Sequence, residues 1–138
     1  MRIVILGGDG YLGWPSAMHF SQRGHEVTVV DNYFRRNAAV ETDSLPLYSV
    51  PTLPQRARLW HELTGKEIRV VIGDLREPSL LTDLFAGRVR YDFAVTEKPW
   101  TDCEAILHYG NSLPHPTPCS ARNTRTSPWS TTCPSPIT

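Results

Sequence analysis

The apolar run Arg2-Ile3-Val4-Ile5-Leu6 ends directly on Gly7-Gly8-Asp9-Gly10-Tyr11-Leu12-Gly13. A short β-branched run of this kind reads as a strand buried on both faces. Glycines at 7, 10 and 13 then allow one specific construction. Gly7 permits a tight turn, Gly10 lets a diphosphate approach the backbone with no Cβ in the way, and Gly13 lets the next helix lie close on the strand. Tyr11–Arg23 carries Leu12, Ala17 and Phe20 at near-helical spacing, with Gly24 as its stop. The mouth of that helix, at Tyr11, Leu12 and Gly13, offers unpaired N–H groups and a positive dipole end to phosphate.

The same alternation continues along the chain. Glu26–Val30 reads as a second buried strand, Gln55–Leu63 as a helix after the Pro-punctuated loop Ser44–Pro54, and Ile68–Ile72 as a third strand. Pro78 opens a helix that runs to Phe85, and Glu104–His108 is a fourth strand. This order implies a parallel sheet with right-handed crossovers. The expected fold class is therefore α/β: the N-terminal half of a Rossmann-type doubly wound sheet, over residues 1–110.

Asp31 closes the second strand eighteen residues after Gly13. A carboxylate there can accept hydrogen bonds from an adenosine ribose diol and repels a 2′-phosphate, which favours NAD over NADP. Asn32 follows at the same strand end. Arg35 and Arg36 keep the alternative open, because a guanidinium can receive that phosphate; they also fit a solvated charge patch. Asp74 follows the third strand and can accept from the adenine amino group while Leu75 packs on the base. The competing reading of Asp74 is a cap at the start of a helix.

Composition removes other classes of function. The 138 residues hold 14 basic and 14 acidic side chains, so nothing favours a nucleic-acid or membrane-surface partner. No apolar run reaches the roughly 18–20 residues of a membrane span, and no secretory h-region precedes the glycines. Cys103, Cys119 and Cys133 lack metal-ligand or paired spacing, consistent with a reduced, cytoplasmic setting. From Asn111 the character changes: residues 111–138 hold six of the twelve prolines, eleven Ser/Thr and no acidic residue. That stretch is expected to be a disordered tail. His115, Cys119 and Cys133 within it are not expected to form a metal site. His19, His25 and His61 are assigned to packing or solvent contact, Trp60 to the core, and His108 to the nicotinamide side of the crevice.

The glycine turn, Asp31-Asn32 with Arg35-Arg36, and Gly73-Asp74-Leu75 resemble the N-terminal half of an extended short-chain dehydrogenase/reductase. Adding Gly13-Trp14, Gly24-His25-Glu26-Val27 and Trp60-x-Glu62-Leu63-Thr64-Gly65-Lys66 narrows the resemblance to the UDP-sulfoquinovose synthases of sulfolipid biosynthesis. It covers residues 1–110, apart from Val89–Asp102, which looks like a longer loop than that family has. The resemblance implies bound NAD, UDP-glucose and sulfite as substrates, and a homodimer for the full-length family. It also implies a reaction sequence: oxidation of the hexose at its fourth carbon, loss of water from the sixth, addition of sulfite there, and return of the hydride.

The resemblance further implies a catalytic Tyr-x-x-x-Lys pair, which this chain lacks. None of Tyr11, Tyr33, Tyr48, Tyr91 and Tyr109 has Lys four positions later. No catalytic residue is assigned, and the chain is expected to be inactive as it stands. Loss of one base after the Gly110 codon would convert a family-like Glu-Gln-x-Ser-Ala-Pro-Tyr-Ser-Met into the observed Asn111–Cys119, so residues 111–138 are expected to be an out-of-frame tail. Two alternatives stay open: a different NAD-dependent sugar-nucleotide epimerase or dehydratase, and a non-catalytic NAD-binding fragment.

Overall fold

The computed structural model describes residues 1–96 and 98–110. The expected tail, with His115, Cys119 and Cys133, lies outside the described residues. Eight elements follow in order: β1 (Arg2–Leu6), α1 (Gly13–Gln22), β2 (Glu26–Asp31), α2 (Phe34–Glu41), α3 (Leu53–Thr64), β3 (Ile68–Ile72), α4 (Pro78–Phe85) and β4 (Ala105–His108). The strands pair in parallel in the order β3-β2-β1-β4, with Ile5 opposite Val29 on one side and Leu107 on the other. That order is half of a doubly wound sheet, and the chain reverses its direction of travel between β1 and β4.

Alternation along the strands divides the core into two faces. Ile3, Ile5, Val27, Val29, Ile68 and Val70 pack with Trp14 and Ala17 of α1 and Leu53 and Ala57 of α3. On the other face, Val4, Leu6, Val30 and Val71 pack with Leu84 of α4 and with Trp100. Both faces of the sheet are thus covered over β1, β2 and β3, which explains why those strands read as unbroken apolar runs rather than alternating ones.

Strand β2 runs one residue further than the sequence reading, to Asp31, and β4 starts one residue later, at Ala105; three helices differ for local reasons. Helix α1 begins at Gly13 rather than Tyr11, because Gly7–Leu12 is used up by the turn: Gly10 N–H donates to Gly7 C=O at 3.2 Å. Helix α3 begins two residues early, at Leu53, because Pro54 occupies its first turn and Thr52 N–H donates to Gln55 Oε1 at 2.9 Å. Helix α2 has no counterpart in the sequence reading. It buries none of its residues, so no apolar periodicity announces it.

Within Val89–Asp102, Val89, Tyr91 and Trp100 pack on the second core face. Phe93 bridges Val70 in antiparallel fashion, with Val70 N–H donating to Phe93 C=O at 2.9 Å, and this covers the outer edge of β3. Trp100 is 1% exposed and completes the second core face.

Candidate functional site

At the C-terminal ends of the strands, the glycine turn is shaped by what surrounds it. Gly7 has φ +87°, and a Cβ there would meet Gly110 N at 2.6 Å, because the chain leaving β4 runs against it. At Gly13 a Cβ would lie 2.0 Å from the Gly7 carbonyl oxygen, so only glycine lets α1 sit this close to the turn. Gly10 differs: a Cβ there would meet only the Gly7 carbonyl oxygen, at 3.3 Å. Apart from that oxygen, the space around a Gly10 Cβ is open.

Helix α1 starts beside that space without a side-chain cap or an acidic residue in its first turn. Among the described residues, the N–H groups of Tyr11, Leu12 and Gly13 have no hydrogen-bond partner. Tyr11 and Leu12 are exposed. Orphan donors, a helix dipole and an open glycine form an anion cradle.

Asp31 ends β2 next to this cradle. Its Oδ2 accepts the Asp9 N–H at 2.9 Å and its Oδ1 accepts the Tyr33 N–H at 2.7 Å. The carboxylate thereby ties the glycine turn to the strand end and holds Tyr33 in the left-handed conformation, φ 56°, that leads into α2. Each oxygen keeps a second lone pair for a further donor. Asn32 Oδ1 accepts the Phe34 N–H at 3.0 Å.

A charge cluster beneath the turn is absent from the sequence reading. Asp9 is gripped by two arginines. Arg36 donates Nε to Oδ2 at 2.6 Å and Nη2 to Oδ1 at 2.8 Å, and Arg56 of α3 donates Nη2 to the same Oδ1. Arg36 also donates to the carbonyls of Val50 and Pro51, at 2.7 Å each. Its bond to Asp9 raises its pKa above the ordinary arginine value. Arg56 lies over the Trp14 ring, 4.9 Å from the centroid, and burial lowers its pKa against the opposing pull of Asp9. Tyr33 completes the group by accepting the Leu53 N–H on its phenol oxygen at 3.0 Å, and burial raises its pKa. An acid inside a glycine turn hints that its charge is answered by cations, but nothing local in the sequence says which.

Arg35 and Arg36 therefore play separate parts. Arg36 is fixed inward, whereas Arg35 is exposed and makes no ion pair among the described residues. Asp74 accepts the Arg76 N–H at 2.9 Å and the Arg76 guanidinium, which holds its carboxyl well below the usual range. It is not the cap of α4, whose N-cap position is Glu77. Leu75 packs against the second core face and lies near Gly110. A backbone bond from Gly73 N–H to Asp31 C=O, 3.0 Å, joins this corner to the end of β2. His108 is exposed, opposite Leu6 in the β1–β4 register. Trp60 packs on the first core face and donates Nε1 to Ser21 Oγ at 3.0 Å. Among the described residues, no helix is long and apolar enough to cross a membrane.

No protein-family model matches the chain. It is similar to the chloroplastic UDP-sulfoquinovose synthase of Spinacia oleracea, with 36% identity over 84 residues, 61% of this chain and 17% of that protein. It is also similar to the UDP-sulfoquinovose synthase of Sulfolobus acidocaldarius, with 34% identity over 116 residues, 84% of this chain and 26% of that protein. Among solved structures, the UDP-glucose 4-epimerase of Bifidobacterium longum in complex with NAD+ and UDP aligns with a TM-score of 0.53 at 20% identity, over 80% of this chain and 24% of that one. The chain thus spans about a quarter or less of the length of these proteins. Sequence similarity and fold together place it in the epimerase/dehydratase branch of the extended short-chain dehydrogenase/reductase superfamily.

Proposed function

We propose that the chain is the NAD-binding half of a UDP-sulfoquinovose synthase-type enzyme. The observation that carries this reading is the open cradle formed by Gly10 and the unpaired N–H groups of Tyr11, Leu12 and Gly13. A coenzyme diphosphate fits its chemistry, since the cradle presents donors and no competing carboxylate cap. Asp31 and Asn32 would take the adenosine ribose, with lone pairs of Asp31 still free to accept from its hydroxyls. Asp74 and Leu75 would border the adenine, and Arg35 the outer rim. The epimerase neighbour was solved in complex with NAD+ and UDP, which supports a nucleotide coenzyme and a UDP-sugar here.

When bound, NAD would supply the reversible oxidation of a UDP-linked hexose. This chain's part is to hold the coenzyme and orient its nicotinamide toward the β1–β4 crevice, where Gly7 and Gly110 meet. UDP-glucose and sulfite are the proposed substrates of the complete enzyme. Proton abstraction at the sugar calls for a base such as the Tyr-x-x-x-Lys pair, which is absent from this sequence. The chain alone is therefore proposed to bind without turning over, and residues 111–138 are proposed to be an out-of-frame tail.

Two measurements test the binding and the absence of turnover. NADH fluorescence should rise saturably on titration with the folded chain, and incubation with UDP-glucose, sulfite and NAD should yield no UDP-sulfoquinovose. Folded chain that leaves NADH fluorescence unchanged overturns the binding claim, and product formation overturns the claim of inactivity. Sequencing the DNA downstream of the Gly110 codon tests the tail: family-like sequence in a neighbouring frame supports it, and its absence from all frames refutes it.

A further inference from the structure

A second acidic residue lies next to the proposed ribose position. Asp9 N–H donates to Asp31 Oδ2 at 2.9 Å, which places Asp9 directly beside the end of β2. The Asp9 side chain is 10% exposed and turns inward to Arg36 and Arg56. Arg36 spends four donor contacts on internal acceptors: two on Asp9, one on Val50 C=O and one on Pro51 C=O. Arg56 gives only Nη2 to the same Asp9 oxygen and lies over the face of Trp14, with its buried Nε unpartnered among the described residues, so Arg36 alone is fully engaged. A coenzyme 2′-phosphate needs a cation that can turn toward it, and a fork already paired in both prongs has none to give. A free 2′-hydroxyl needs only an acceptor.

We propose that Asp9 sets coenzyme selectivity: by holding Arg36 beneath the turn, it withholds that guanidinium from a 2′-phosphate and favours the coenzyme with a free 2′-hydroxyl. This rests on the reading that the glycine turn binds a nicotinamide dinucleotide. Selectivity is then held by a residue of the turn itself, acting through Arg36, in addition to the strand-end carboxylate. Arg35 is the competing receiver, since it is exposed on the neighbouring position of α2.

The test is fluorescence titration of the full chain with NADH and with NADPH. In Asp9→Asn, the ratio of the NADPH to the NADH dissociation constant should fall about tenfold, the scale of one charge-assisted bond to phosphate. In the double variant Asp9→Asn with Arg36→Gln, that gain should vanish. An unchanged ratio in folded Asp9→Asn, or a gain that persists in the double variant through Arg35, overturns the proposal. Should Asp9→Asn not fold, Arg36→Lys breaks the two-pronged bond and keeps the cation; it should shift the ratio in the same direction, and an unchanged ratio refutes the idea. Wild-type chain that binds neither coenzyme rejects the underlying reading, and this proposal with it.

Discussion

Within one turn, Gly10 and Gly13 have opposite consequences for a methyl group. Gly13→Ala forces a Cβ onto the Gly7 carbonyl oxygen and should cost about 3 kcal/mol or more, measured by urea denaturation. Gly10→Ala meets only one oxygen, at 3.3 Å, and should cost within about 1 kcal/mol. Equal losses at the two positions would contradict the packing of the turn. Asp9 is the third decisive residue. Asp9→Ala leaves Arg36 and Arg56 without their shared counter-charge in a part-buried setting, and denaturation should show a loss of about 2–3 kcal/mol. The glycine spacing was legible in the sequence because each glycine answers to local backbone geometry. The role of Asp9 was not, because its partners lie 27 and 47 positions away and no periodicity links them.

Strands β1 and β3 and helix α4 have the bounds that the sequence implies, since each couples an apolar pattern to a glycine or proline boundary. Helix α2 is illegible in the sequence because its stability comes from its ends and from Arg36 rather than from a buried face. The segment at Asp92–Thr96 is hidden for a similar reason, being tied down by polar contacts to β3 and to Glu67. The N–H groups of Val95 and Thr96 donate to Glu67 Oε1 at 2.6 and 2.9 Å. Burial alone would raise the Glu67 pKa, but these two bonds and Arg69 outweigh it and lower the value. A carboxylate depressed on folding stabilises the native state above its unfolded pKa, about 4.3, and loses that contribution as pH falls through the lower folded value. Hydrogen exchange at Val95 and Thr96 should therefore accelerate in acid from about pH 4 downward, relative to core amides of β1. Exchange that keeps pace with β1 across that range would contradict the assignment.

At the scale of the whole molecule, one sheet edge is covered and the other is not. Phe93 covers β3, whereas Ile106 on β4 is 54% exposed and no strand pairs beyond β4 among the described residues. With an uncovered edge and α2 burying nothing, thermal unfolding of the chain alone should be broad, and NAD should raise and sharpen the transition by binding only the folded form. A sharp melt indifferent to NAD would contradict this. The most direct test of the coenzyme site is calorimetric titration of NAD into the folded chain and into folded Gly10→Ala, the one glycine of the triplet where a methyl would meet a single protein atom. Saturable heat for the wild-type chain and at least about tenfold weaker binding for Gly10→Ala are expected, because a methyl there stands where the diphosphate must approach. Equal affinities, or no heat from either folded protein, would contradict the account.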